Sequence, residues 1–426
     1  MAGEESVHLR DVCVKIGSGA TPRGGKEAYK GGVTSLIRSQ NVYNEGFHRD
    51  GLVYIDDAQS AELRNVEVKL NDVLLNITGD SVARCCQVAA DVLPARVNQH
   101  VVIIRPQPAS LDARFLRYVL VSHEYQSRLL ALASAGATRP ALTKLMIEDL
   151  DIPSPPLAEQ KAIASVLGAL DDKIELNRRM NATLEAMARA LFLSWFVDFD
   201  PVRAKLDGHK PVGLDDAAAL FPEHFEHSED GMLPVGWRLT AIEEVCAINA
   251  WTLDKNDGLA TVEYVEISEV SRGNIASITT YPRGEEPSRA RRRLRHGDTV
   301  LSTVRPDRGS YFLALNPPEN RVASTGFAVL TPTKVQWSFI HAALTQPEVS
   351  DHLGQMADGG AYPAVRPEII GAMQVALPNE PKILEKFHRT CAPFFEQADA
   401  NRAQSRLLAR MRDALLPKLL TGELRV

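Results

Sequence analysis

The sequence lacks most of what marks an enzyme, a membrane protein or a secreted protein. No apolar run approaches the ~20 residues that a bilayer-spanning helix needs. The start, Met1-Ala2-Gly3-Glu4-Glu5, has neither the basic residues nor the apolar stretch of a secretory signal, so a cytoplasmic location is expected. Cysteines number five, an odd count, and none stands at metal-ligand spacing. The adjacent Cys85-Cys86 have no second Cys or His pair at the right distance, so reduced thiols are expected and no metal site. No Ser/His/Asp or Cys/His set sits in a recognisable local context. Asn316-Pro317-Pro318-Glu319 places Glu319 where an amino-methyltransferase needs an aromatic to stack a flipped base. No glycine-rich strand-to-helix turn for a methyl donor accompanies it. Gly19 to Lys26 has Gly25 where a phosphate loop requires lysine. No catalytic residue and no cofactor is therefore assigned.

An excess of positive charge is also missing. The net charge is −6, which taken alone argues against a nucleic-acid partner. Between Asp198 and Asp230, however, stand nine acids and three bases, which account for the whole deficit. The remainder is close to neutral, and local basic clusters decide the partner.

What the sequence does contain is a second copy of itself. Asp11-Val12-Cys13 recurs as Glu244-Val245-Cys246, and Asn71-Asp72-Val73-Leu74-Leu75 as Gly297-Asp298-Thr299-Val300-Leu301. Val101 to Pro106 matches Phe327 to Pro332, each a strand that a proline stops. Gly136-Ala137-Thr138-Arg139-Pro140-Ala141-Leu142 parallels Gly359-Gly360-Ala361-Tyr362-Pro363-Ala364-Val365, and Leu150 to Pro156 parallels Met373 to Pro378. Asn177-Arg178 parallels Asn401-Arg402.

Each copy reads as a mixed, strand-rich domain followed by a long helix. In the first helix, Ile163, Leu167, Leu170, Ile174, Asn177, Asn181, Leu184, Ala188 and Leu191 alternate spacings of four and three, a heptad seam with two polar positions. About 40 residues at 1.5 Å rise give a rod of roughly 60 Å. The second seam is Phe387, Cys391, Phe394, Ala398, Asn401, Ser405, Leu408, Arg412 and Leu415, with Arg412 intruding. Asn177 and Asn401 hold equivalent places and are expected to set helix–helix register. The alternative is two unrelated amphipathic helices, each packed on its own domain.

The predicted fold is α+β: two strand-rich mixed globular domains joined by two long antiparallel coiled-coil helices, with a pseudo-twofold internal repeat. The boundaries read as domain 1 over 1–152, helical region 153–200, acidic linker 201–233, domain 2 over 234–377 and helical region 378–426. Such a repeat suits duplex DNA, itself quasi-twofold, whose dimeric readers place half-sites about one turn, ~34 Å, apart. The paired rods would fix the gap between two recognition elements, and two unlike domains would read a split, asymmetric target.

The strongest basic footprint is Arg289, Arg291, Arg292, Arg293 and Arg295, within seven residues that contain no acid, with Arg305 and Arg308 after the next strand. Arginine binds phosphate and reads guanine bidentately. A solvated basic turn is the other reading. The first domain offers a sparser set of DNA-contact candidates: Arg23, Lys26, Arg38, Gln40, Asn41, Arg84, Asn98, Gln99, Arg139 and Lys144. Gln and Asn are the side chains that pair with adenine edges.

These features together resemble the specificity subunits of type I restriction–modification systems over essentially the whole chain. The matching motifs are Asn98-Gln99-His100 before a strand, and Leu150 to Pro156 followed by Leu157-Ala158-Glu159-Gln160 and Ile163. They continue with Asp171-Asp172-Lys173-Ile174-Glu175-Leu176-Asn177, the aromatic-acidic stretch Phe221 to Asp230, and Leu233-Pro234-Val235-Gly236-Trp237. The second copy departs, with Asn379-Glu380-Pro381-Lys382 in place of the Glu-Gln signature. The resemblance implies a non-catalytic subunit with two target-recognition domains that bind double-stranded DNA. It also implies docking of two copies of a DNA-adenine methyltransferase subunit on the helical regions and recruitment of ATP-dependent restriction subunits. S-adenosylmethionine and ATP would then belong to the partners. A coiled-coil interaction scaffold, or the specificity subunit of a methyltransferase-only or fused system, is the alternative.

Overall fold

The computed structural model describes residues 6–22, 29, 31–135, 140–209, 217–228, 231–254, 257–360 and 362–426. The chain divides into two units, Met1–Ile174 with Arg406–Val426, and Glu175–Ser405. No helix among the described residues is long and apolar enough to cross a membrane.

The first unit carries two four-stranded sheets. One runs Cys13–Ser18, Val101–Pro106, Val73–Asn76, Cys85–Gln87; the other runs Val53–Ile55, Thr34–Ile37, Ala95–Val97, Glu67–Val68. Strand periodicity explains why the central strands are apolar at successive positions, Val73–Leu75 and Val101–Ile104. Val73 and Leu75 face one core and Leu74 the other, and Val102 and Ile104 are likewise split from Val101 and Ile103. Each such side chain, fully buried, contributes about 1.5–3 kcal/mol.

The second unit repeats this topology strand for strand. Its sheets run Cys246–Ile248, Phe327–Pro332, Asp298–Ser302, Tyr311–Ala314 and Thr279–Pro282, Thr261–Val265, Arg321–Ser324, Ala290–Arg293. Even the single parallel pairing recurs, Ala95–Val97 on Thr34–Ile37 and Arg321–Ser324 on Thr261–Val265, in sheets otherwise antiparallel. Small hairpins, Val42–Tyr43 with Gly46–Phe47 and Val270–Ser271 with Asn274–Ile275, occupy matching places. The internal repeat is thus present in the backbone.

The two copies diverge inside. Asp72 and Asp298 are both fully buried at the start of equivalent strands, after a left-handed residue, Asn71 (φ 68°) or Gly297 (φ 85°). Asp72 receives Arg105 through bonds of 2.7 and 2.8 Å; Asp298 receives only the Thr331 hydroxyl (2.7 Å) and the Arg295 amide (2.7 Å). Burial, with no cation hydrogen-bonded to the carboxylate, pushes Asp298 up to about 6.

Each long helix, Leu157–Phe196 and Pro381–Leu420, has 40 residues. Prolines 155 and 156 precede the first and Pro381 opens the second, where a missing N–H costs nothing. Gln160, 1% exposed, ties the first helix start down: it accepts from the Asp112 amide (2.9 Å) and donates to Pro155 O and Ser110 O. The second copy has buried Leu384 in that place, an apolar solution that accounts for its different motif. In the first unit the helix segments are joined by Asp171, which accepts from Arg412 at 2.8 Å, so the cation that intrudes in the seam has a partner. In the second unit Asn177 reaches Ser405 (3.2 Å) and Asn181 reaches Ala398 O (3.0 Å), an antiparallel pairing. Asn401 donates to Asn181 (2.8 Å), and Asn177 donates to Asn401 O (3.3 Å).

The acidic stretch expected as a linker contains a helix, Asp200–Leu206, and a hairpin, Phe225–Ser228 with Gly231–Pro234. An aromatic cluster anchors it, in which Trp237 packs on Phe196, Phe199 and Phe221.

Candidate nucleic-acid interface

In the first unit, loops at one end of the sheets converge. Asn76 donates to Ser39 O (2.8 Å) and its amide to Arg84 O; the Asn98 amide bonds Ile37 O, and the Thr21 hydroxyl meets Gln99. This gathers Arg38, Gln40, Arg84 and Gln99 with His100, whose Nδ1 lies 2.7 Å from the Thr78 hydroxyl. Arg38 and Gln40 both donate to Gly51 O, at 2.6 and 3.3 Å. The Arg84 guanidinium lies over the Tyr43 ring at 4.5 Å.

Two of the candidates face inward. Asn41 is fully buried, with its amide hydrogens committed to His48 O and Asp50 O, and Asn98 is buried and accepts from the His100 amide. They shape the loops that carry their neighbours. Lys144, on the short helix Lys144–Glu148, is paired with Glu148 at 3.2 Å. Arg23, Lys26 and Arg139 lie outside the described residues.

In the second unit, loops at the ends of several strands bring together Arg289, Thr325, Arg305 and Tyr362. Thr325 N bonds Arg289 O, Thr303 N bonds Gly326 O, and Arg305 N bonds Pro363 O. Tyr362 is 75% exposed, with the Arg305 guanidinium 5.0 Å from its ring centre. Arg308 is exposed nearby, in the turn Pro306–Arg308.

The arginine run does not form one patch. It follows an edge strand, so at ~3.3 Å per residue Arg289 and Arg295 stand roughly 20 Å apart. Arg291 Nε donates to Ser288 O (3.1 Å). Burial pulls Arg292 below the usual guanidinium range, and its Nε is buried with no partner among the described residues. Arg293 meets Asp257 at 3.0 Å and Glu319 at 3.4 Å, acids distant in sequence. The Arg295 guanidinium lies over Trp251, 3.3 Å from the ring centre.

Sequence reading passed over Tyr362 and Trp251, two exposed aromatics beside arginines, and Arg272 at the turn of the Val270–Ile275 hairpin. The Gly359–Val365 repeat landmark pointed to Tyr362, since Tyr362 occupies the place of Arg139 in the first copy. Among the described residues no group of His, Cys, Asp or Glu is arranged to hold a metal.

Comparison with known proteins agrees with this organisation. Residues 1–186 match the type I restriction modification DNA specificity domain family. The chain is 26% identical to the type I restriction enzyme HindI specificity subunit of Haemophilus influenzae, over 84% of this chain and 87% of that one. It is 25% identical to the MjaIX specificity subunit of Methanocaldococcus jannaschii, over 72% of this chain and 68% of that one. The crystal structure of a type I restriction–modification S subunit from M. genitalium shares the fold, with a TM-score of 0.56 at 16% identity, covering 97% of this chain and 95% of that one. In its duplicated domains, its two 40-residue helices and the match of residues 1–186, the chain is similar to the specificity subunits of type I restriction–modification systems.

Proposed function

We propose that this chain reads a split, asymmetric target in double-stranded DNA, using residues 1–152 and 234–377 as two target-recognition domains. The helical regions 153–200 and 378–426 dock two copies of a DNA-adenine methyltransferase subunit, and ATP-dependent restriction subunits join that cytoplasmic assembly.

One observation carries the reading. Loops in matching topological positions present different side chains in the two copies: Arg38, Gln40, Arg84 and Gln99 stand in one where Glu266, Ser268, Ser310 and Thr325 stand in the other. A duplicated scaffold with divergent polar tips suits two unlike half-sites, since guanidinium and amide groups read base edges while the shared backbone sets their positions. Asn177, Asn181 and Asn401 form a buried polar layer whose hydrogen bonds favour one register of the helices over its neighbours.

The test is a base-resolution methylation map of the host genome with and without this chain. Loss of one split, adenine-methylated motif on deletion supports the reading. An unchanged map, with the methyltransferase subunit expressed, overturns it.

A further inference from the structure

The hairpin beside the reading loops is held by the long helices through a chain of charges. In the first unit Arg412, on the second long helix, donates to Asp171 Oδ1 at 2.8 Å, and Asp171 lies on the first long helix. The other oxygen, Oδ2, accepts from Tyr118 Oη (2.7 Å) and from Arg117, both on helix Ala113–Val121. Arg117 then donates its second nitrogen to the backbone carbonyl of Asn44 (2.7 Å), at the turn between Val42–Tyr43 and Gly46–Phe47. Tyr43, the next residue, carries the Arg84 guanidinium on its ring.

Every member is largely withdrawn from water: the Arg117, Asp171 and Arg412 side chains are 8%, 17% and 18% exposed. Although burial opposes the charge, Arg117, Tyr118 and Arg412 bring Asp171 below the usual carboxylate range, so it stays ionised. Simple packing of two helices does not require this. An apolar pair fills such a seam at least as well, and a buried ion set is geometrically demanding.

The second unit solves the same problem with other residues. Arg402 and Glu185 pair on the two long helices, and the Arg402 guanidinium sits against the turn of the equivalent hairpin. A Cβ built on Gly273 (φ 81°) would stand 2.9 Å from it. Two unlike ion sets thus stand against equivalent hairpins.

We infer that Asp171 is a positioning residue for DNA reading: through Arg117 and Asn44 it fixes the hairpin on which Arg84 is seated, so helix contacts set the affinity of the first half-site. The inference rests on the proposed DNA-reading role of the first unit. It extends that role to a residue with no route of its own to DNA.

The experiment uses the full chain assembled with its methyltransferase subunit and a duplex carrying the methylated target. Affinity is measured for wild type, Arg84→Ala, Asp171→Asn and the double variant. Arg412→Leu serves as a milder variant that leaves Asp171 paired with Arg117. Asp171→Asn should weaken binding about tenfold, the double variant no more than Arg84→Ala alone, and hydrogen exchange at the Asn44–Phe47 amides should speed up. Arg412→Leu should shift both readings in the same direction to a smaller extent. A merely structural role would give additive losses and an unchanged hairpin. If Arg84→Ala weakens binding while Asp171→Asn and Arg412→Leu leave affinity or the hairpin unmoved, the positioning role is refuted and the reading role stands. If Arg84→Ala changes nothing, both fail.

Discussion

Asparagine in place of the two equivalent buried aspartates should give opposite results. Asp72 is bound twice by Arg105, whose side chain is 20% exposed, so Asp72→Asn leaves that guanidinium without its counter-charge. Removing one member of a buried pair costs about 3–5 kcal/mol, and partial access of Arg105 to water puts this case near 3. Asp298 has no cation in its hydrogen-bonding shell. A carboxyl that titrates near 6 instead of 3.8 binds protons more tightly folded than unfolded. Stability therefore falls as pH rises from about 4 to 6 and is level above, with a cost at neutral pH of about 3 kcal/mol. Asparagine keeps the bond from the Arg295 amide and can donate to the Thr331 hydroxyl. Asp298→Asn is expected to stabilise the second unit by up to about 3 kcal/mol at pH 7, to have little effect at pH 4, and to abolish the slope between. The assay is chemical unfolding followed by tryptophan fluorescence, because Trp195, Trp237, Trp251 and Trp337 all lie within Glu175–Ser405. Exchange at the Val73–Asn76 amides follows Asp72→Asn. A destabilised Asp298→Asn at pH 7, or an unchanged slope, refutes the reasoning.

Three further outcomes are expected. Arg289→Ala and Arg291→Ala should each weaken DNA binding and lower the salt slope by about 1, whereas Arg293→Ala, whose guanidinium is held by Asp257 and Glu319, should lower stability and leave the slope nearly unchanged. Titration at several salt concentrations separates them. Gln160→Ala removes three part-buried hydrogen bonds to backbone groups and should destabilise the first unit by about 1–3 kcal/mol, read by exchange at the Leu157 end of the helix. Gly273→Ala adds a methyl at 2.9 Å from Arg402 on a left-handed backbone; a loss of about 1–2 kcal/mol is expected from fluorescence-monitored unfolding, and a neutral result would mean that the guanidinium moves freely.

The fold was readable because its signals are local and repeated. Periodicity gave the helices, proline stops ended the strands, and two copies of each landmark corroborated one another. The interface was less readable because charge is balanced through space. Asp257 and Glu319 lie outside the arginine run yet neutralise its centre, and Arg412 looked like a flaw until Asp171, 241 residues away, appeared beside it. Asn41 and Asn98 are of the residue type that reads adenine, but burial turns them to loop building, which composition alone does not reveal.

The diverged interiors bear on recombination between the two halves. Where the first copy sets Arg117 against Asp171, the second sets the buried, neutral His341 edge-on to Phe395 at 4.9 Å. A first-copy domain moved into the second position without its own helix would aim a guanidinium at a benzene ring with no carboxylate behind it. New specificities made by shuffling should therefore carry breakpoints inside the long helices, beyond Asp171 or Phe395, so that each domain travels with the stretch of helix that matches it.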